Sequence, residues 1–215
     1  MERLEKNDFV EIEFTGFSNG KIFDTTNKID AEKIGINIKN IKPLIISIGN
    51  GMIIQGIDED LQGKEIEKNY SILIPSEKAF GKRNSSMVKT YGLGNFKKQN
   101  INPYPGMTLQ LDNIIVKVLS VNGGRVTIDF NNPLAGKEVN YNYKAIRIIN
   151  DINEKINALQ DFFFRQRFSF EIKEKKVIFK ESQIAPFLSI LGPKFKEITD
   201  LEFTIEENIE KKEKK

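Results

Sequence analysis

From Phe9 to Phe14 the chain alternates: Val10, Ile12 and Phe14 fall on one side and Glu11 and Glu13 on the other. A period of two is the mark of a strand with one buried face. Ser18-Asn19-Gly20-Lys21 supplies a turn into a second strand ending at Asp24, so the chain opens on a predicted hairpin. Residues 27–42 are polar and irregular, punctuated by Gly35 and Pro43, before the apolar run Leu44-Ile45-Ile46-Ser47-Ile48. After the turn Gly49-Asn50-Gly51, the positions Met52/Ile53, Ile57 and Leu61 recur at helical spacing and predict one short amphipathic helix ending near Gly63. Tyr70, Ile72 and Ile74 return to strand alternation before Pro75.

The texture then changes. Residues 82–110 hold no acid, carry Lys82, Arg83, Lys89, Lys97 and Lys98, and are broken repeatedly by Gly and Pro. Short strands are predicted at 108–111, 114–121 and 125–130, joined by turns such as Asn122-Gly123-Gly124. This second, mostly β unit lies between the strand before Pro75 and another over 139–149, so the simplest arrangement inserts it into a loop of the first domain. After Asn150, Ile152, Ile156, Leu159 and Phe163 keep a helical period. A hairpin pattern follows around Glu174-Lys175-Lys176, then an apolar stretch containing Pro186 and the alternating Leu201, Phe203 and Ile205. Residues 209–215 read as a solvated, frayed tail. The fold class is α+β, with domains expected at 1–84 plus 130–150, at 85–129 as the insert, and at 151–215 as a C-terminal α+β unit.

A chain of 215 residues with 39% hydrophobic content can fill more than one core. Its 33 basic and 30 acidic residues leave a formal charge of +3, so any basic signal must be local. Histidine and cysteine are both absent, which removes disulfides, thiol nucleophiles, imidazole bases and the commonest zinc sites. Met1 to Asp8 carries charges where a secretory signal has an apolar stretch, and no run approaches the roughly 18 apolar residues of a membrane span. A soluble cytoplasmic protein is expected, with no membrane partner.

Candidate chemistry centres on Phe23-Asp24, which joins an aromatic and a carboxylate at the end of the first hairpin, with Ala79-Phe80-Gly81 and Tyr141 as further aromatic positions. Together they read as an aromatic pocket with one buried acid. On the alternation alone, Phe14, Phe23, Ile54 and Phe80 would be core residues, and Asp24 an ordinary turn carboxylate.

Four segments alter that balance: Phe14-Thr15-Gly16 with Gly20 and Phe23-Asp24; residues 49–61; residues 75–81; and Asn131-Asn132-Pro133-Leu134-Ala135-Gly136-Lys137. They resemble the FKBP family of peptidyl-prolyl isomerases, and within it the SlyD-like and long archaeal branch. The last segment resembles the Asn-His-Pro-Leu-Ala-Gly signature that follows the inserted flap domain of that branch, with Asn132 in the place of His. The resemblance implies an antiparallel half-barrel sheet wrapped on a short helix. It implies catalytic positions at Phe23, Asp24, Phe80 and Tyr141, and a proline pocket lined by Phe14, Met52, Ile53, Ile54 and Ile57. Phe14 and Phe80 occupy places often held by Tyr, and Ile57 a place where many members have Trp. The pocket therefore loses two hydroxyls and Asp24 is expected to lack a hydroxyl neighbour.

No cofactor or metal is implied. SlyD proteins often carry a His/Cys-rich tail that takes nickel, and this chain has neither residue. The implied partners are unfolded or nascent polypeptides with Xaa-Pro bonds, held by the insert through Met87, Val88, Tyr91 and Phe96 unless these form its own small core. A holdase without turnover is the alternative reading, favoured by Phe14 and Phe80. An RNA- or ribosome-binding module, contacting RNA through the acid-free stretch, is the less favoured alternative, since a few positive charges usually make a solvated face. The many aromatics of 151–207, in a unit of a size only marginally stable alone, raise a homodimer through the C-terminal unit as a further expectation, the alternative being that all these rings pack within the unit or on the first domain.

Overall fold

The computed structural model describes residues 3–111 and 114–206. In chain order the first elements are β1 (Phe9–Ser18), β2 (Lys21–Thr25), α1 (Lys28–Lys33), β3 (Leu44–Ser47), α2 (Gln55–Asp60) and β4 (Asn69–Ile74). Next come β5 (Val88–Gly92), α3 (Leu93–Lys97), β6 (Thr108–Leu111), β7 (Ile114–Asn122), β8 (Arg125–Asp129) and β9 (Val139–Ile148). The last are α4 (Ile152–Phe163), β10 (Phe170–Lys173), β11 (Lys176–Phe179), α5 (Ala185–Thr199) and β12 (Glu202–Ile205). The chain divides into two compact units, one of Met1–Ile72 and Asn140–Lys215, the other of Leu73–Val139. The predicted tail, 209–215, lies outside the described residues. No helix among the described residues is long and apolar enough to cross a membrane.

In the first unit β1 is the central strand, antiparallel to β2, β3 and β9, and β4 continues the sheet beyond β9. Its alternation works as predicted: Val10 and Ile12 are fully buried and Phe14 nearly so. The turn to β2 has Asn19 at φ 51° and Gly20 at φ 72°, the pair of left-handed residues that a two-residue hairpin turn needs. Across the β1–β9 ladder Phe14 stands opposite Tyr143 and Gly16 opposite Tyr141. Helix α2 buries Ile57 and presents Asp60, which accepts a short hydrogen bond from the Tyr143 hydroxyl of β9. Burial and the Asp60 carboxylate together push the Tyr143 pKa far up, so this phenol stays protonated and donating.

The C-terminal part of this unit begins with α4, whose first turn is capped by the Asp151 carboxylate accepting from the Glu154 N–H at 2.8 Å. A three-stranded sheet of order β10-β11-β12 follows, with β11 and β12 parallel. Phe179 and Phe195 are fully buried. Phe195 packs edge-on to Phe164 (5.8 Å between ring centres) and to Phe203 (5.1 Å). Most of the aromatic content is thus consumed internally, while Phe187, packed on Phe164 at 5.3 Å between ring centres, is still 44% exposed and Ile190 78%.

The second unit holds a four-stranded antiparallel sheet of order β5-β8-β7-β6 over a core of Phe96, Leu109, Val116, Val118, Val126 and Ile128. Where the chain enters and leaves this sheet, Asn131 joins the two strands' flanks: its Oδ1 accepts the Asn84 N–H at 2.8 Å while its Nδ2 donates to the Asn84 carbonyl at 2.9 Å. Beside it, Arg83 donates twice to one carboxylate oxygen of Asp129. Asn132, in the place of His, caps the next turn by accepting the Leu134 N–H at 2.8 Å.

Three segments differ from the sequence reading. Residues 27–42 are not wholly irregular, because the Asn27 side chain accepts the Asp30 N–H at 3.0 Å and starts α1. The Pro186 stretch is a helix of 15 residues: Pro186 falls in its first turn, where no N–H is required, and α5 continues through Pro193. Residues 88–97 hold β5 and α3, both too short to show a period.

Candidate active site

Gly16 organises the aromatic cluster of the first unit. A Cβ at this position would lie 2.8 Å from Phe23 Cζ and 2.8 Å from Tyr141 Cζ, so only a residue without a side chain lets both rings close over the strand. Tyr141 meets Phe23 edge to face at 5.6 Å between ring centres, and Phe14 at 5.7 Å, tilted by 58°. Neighbouring strands β1, β2 and β9 supply one ring each. Phe14 and Tyr141 are buried and Phe23 half-buried.

Asp24 follows Phe23 at the end of β2. The residue lies open to solvent rather than enclosed, which corrects the expectation of a buried acid. Its carboxyl is still crowded by the surrounding protein, and that desolvation raises its pKa above the ordinary 3.8, partly offset by a hydrogen bond from the Thr25 backbone. Tyr141 has its own pKa pushed well above 10, first by burial and then by the negative charge of Asp24. The Asp24 charge is thus felt at Tyr141 on β9, although among the described residues the Tyr141 hydroxyl makes no hydrogen bond, to Asp24 or to any other group.

The segment carrying Met52 to Ile57 is set by a turn. Asp58, 6% exposed, accepts the Gly49 N–H at 2.7 Å with one oxygen and the Gly51 N–H at 2.9 Å with the other. Gly49 and Gly51 have φ of 77° and 69°, which suits glycine. The Asn50 amide nitrogen is held by Asn7, Ser47 and the Ile48 carbonyl. The Ser47 N–H points to the Met52 sulfur at 3.2 Å. Met52 and Ile57 are thereby buried, and Ile53 and Ile54 are left half-exposed at the start of α2.

The structure thus brings Phe14, Phe23, Asp24 and Tyr141 together, with Met52, Ile53, Ile54 and Ile57 on one anchored segment of the same unit. Phe80, half-buried, belongs to the second unit, just before Gly81 at φ 76°. Of the insert residues, Met87 is exposed at 40% and Val88 half-buried. Phe96 lies in the core of its own unit, and Tyr91 packs on Phe96 and Phe130. Sequence reasoning singles out neither Gly16 nor Asp58 as a site residue. A glycine inside an alternating strand was the available signal for the first.

Phe14, Phe23 and Tyr141 thus form a cluster of rings beside one accessible carboxylate, Asp24. Comparison with known proteins gives the class: the profile of FKBP-type peptidyl-prolyl cis-trans isomerases matches residues 1–95, and that of the FKBP26 IF domain matches residues 92–134. A short-type peptidyl-prolyl cis-trans isomerase of Methanocaldococcus jannaschii is 30% identical over 144 residues, 66% of this chain and 92% of that protein. The SlyD isomerase of Treponema pallidum is 30% identical over 122 residues, 55% of this chain and 67% of that protein. A 16 kDa FKBP-type isomerase of Escherichia coli is 23% identical over 113 residues, covering 51% and 76%. The chain belongs to the FKBP-type peptidyl-prolyl cis-trans isomerases.

Proposed function

We propose that prolyl isomerisation takes place on the cluster of Phe14, Phe23, Asp24 and Tyr141, and that the second unit retains unfolded polypeptide clients near it. The observation carrying this reading is the convergence of Phe23 and Tyr141 over Gly16, beside a carboxyl that is desolvated but reachable.

Rotation of an Xaa-Pro bond is slow because twisting breaks amide resonance, at a cost of about 18–20 kcal/mol. The planar amide is more charge-separated than the twisted one. An apolar ring cluster favours the twist, and each ~1.4 kcal/mol of preference is a tenfold gain in rate. No nucleophile is needed, which suits a chain without His or Cys. The Tyr141 hydroxyl, held protonated and without a protein partner among the described residues, is the donor for a bound peptide carbonyl. The clients are unfolded or nascent chains with Xaa-Pro bonds, and retention by the second unit raises their concentration at the pocket without sequence reading. Met87, just before β5, offers adaptable apolar contact for this.

A protease-coupled assay on a proline tetrapeptide tests the site. Asp24→Ala and Tyr141→Phe should each lower kcat/KM by about tenfold or more, the loss that one donor or charge carries in such sites. Full activity in both variants rejects the assignment. Replacing residues 85–127 by a short Gly-rich loop tests the second unit. Tetrapeptide turnover should stay within about tenfold while catalysed refolding of a proline-limited protein falls much further. A holdase without turnover would instead show client binding with no catalysis in the parent chain.

A further inference from the structure

The C-terminal part of the first unit touches the segment that the family resemblance assigns to the proline pocket. The Lys194 ammonium, on α5, donates to the Asn50 carbonyl at 3.0 Å and sits 5.6 Å from the centre of the Phe163 ring of α4. Asn50 is the middle residue of the Gly49-Asn50-Gly51 turn. The amides on either side of it are held by Asp58, and its side chain by Asn7, Ser47 and Ile48. Its carbonyl is taken by a residue 144 positions later in the chain.

We propose that Lys194 is a positioning residue for the isomerase site, fixing the 49–51 turn and through it Met52, Ile53 and Ile54. The turn is a flexible sequence: two glycines with positive φ flank Asn50, and glycine loses more freedom on ordering than any other residue. A cation bonded to the carbonyl between them removes that freedom before substrate arrives. The Met52 sulfur, bonded to the Ser47 N–H, transmits the setting to the half-exposed Ile53 and Ile54 that follow. Lys194 is itself held in place, its stem half-buried against Phe163 and Pro193 interrupting the helix ladder one residue earlier. On this view the C-terminal extension tunes the pocket and is more than an appended domain. The inference rests on the assignment of residues 52–54 to the proline pocket.

Lys194→Met keeps the stem and removes the donor, whereas Lys194→Arg keeps a cationic donor. In the full-length chain Lys194→Met should raise KM for a proline tetrapeptide by about threefold to tenfold, the factor of one net hydrogen bond, with kcat little changed. Lys194→Arg should restore KM to within about twofold. A merely structural role predicts a lower melting temperature with KM unmoved. An unchanged KM in Lys194→Met, while Ile54→Ala still raises KM, overturns the positioning role and leaves the pocket assignment standing. If Ile54→Ala has no effect either, the pocket assignment itself fails and the inference with it.

Discussion

Gly16→Ala separates ring geometry from backbone freedom. The new methyl would sit 2.8 Å from Phe23 Cζ and from Tyr141 Cζ, and 2.9 Å from Tyr141 Cε1, where ordinary contact begins near 3.4 Å. Each ring must withdraw by roughly 0.6 Å, as overpacked cores do. Both rings are met at 2.8 Å, and Tyr141 also packs on Phe14, so the shift cannot be taken up by one ring alone. Inserting a methylene into a packed site costs about 1–3 kcal/mol. Because the displaced groups are those of the proposed site, kcat/KM should fall by about tenfold or more, at ~1.4 kcal/mol per tenfold. Gly20→Ala is the control. Gly20 has φ 72° and nothing within 4 Å of the point a Cβ would occupy, so alanine there strains the turn by about 1 kcal/mol without touching a ring. Both variants should melt a few degrees lower, at roughly 2–4 °C per kcal/mol for a chain of this size. Only Gly16→Ala should lose tetrapeptide isomerisation. Equal activity in the two variants refutes the argument that Phe23 and Tyr141 must close over Gly16.

Other outcomes follow from single contacts. The raised Asp24 pKa means that ionising this carboxyl costs the folded state, so its contribution is most favourable below pH 3.8 and is lost as pH rises through the higher folded value. Asp24→Asn should therefore melt no lower than the parent at pH 7, and its relative advantage should shrink on acidification, as thermal scans across roughly pH 3–7 would record. Tyr143→Phe leaves Asp60 without its buried donor and should cost about 1–3 kcal/mol by denaturant titration, with proline turnover nearly unchanged. Phe80→Tyr should leave tetrapeptide activity equal or higher, and a marked loss would mark the ring as tightly packed. Homodimerisation through the C-terminal part now rests on Phe187 and Ile190, the rings around Phe195 being internally engaged. Sedimentation should show a dimer that Ile190→Glu dissociates, and a monomer at micromolar concentration rejects it.

The strands of the first hairpin, β9 and α4 were legible because their burial is one-sided, which writes a period into the sequence. Residues 44–61 were legible in outline: the apolar run is β3, and the helix starts three residues later than Met52, since the 49–51 turn takes up Met52 to Ile54. Elements held by local hydrogen bonds left no period. Asn27 starts α1 with one side-chain bond, and β5 is five residues long with no regular alternation. At the site, Phe14, Phe23, Asp24 and Tyr141 were legible through the family pattern, whereas their environment was not. That the Asp24 charge reaches Tyr141 on another strand was not legible, because register across a sheet decides which side chains come close. Lys194 was invisible for the same reason: a contact spanning 144 positions is set by packing, not by neighbours in sequence.

The central ladder also bears on the order in which the chain folds. Strand β1 gains its partner β9 only across a long separation, Glu11 and Arg147 being 136 residues apart. Closing so long a loop is slow, although each doubling of its length adds only ~0.6 kcal/mol. The second unit is built from hairpins and can form from local contacts while the closure is still pending. Phe14, Phe23 and Asp24 are synthesised early, and the ring that completes their cluster, Tyr141, comes after the whole of that unit. A nascent copy consequently lacks the proposed pocket until Tyr141 has been made, and Pro43, Pro75, Pro103, Pro105 and Pro133 are all synthesised before it.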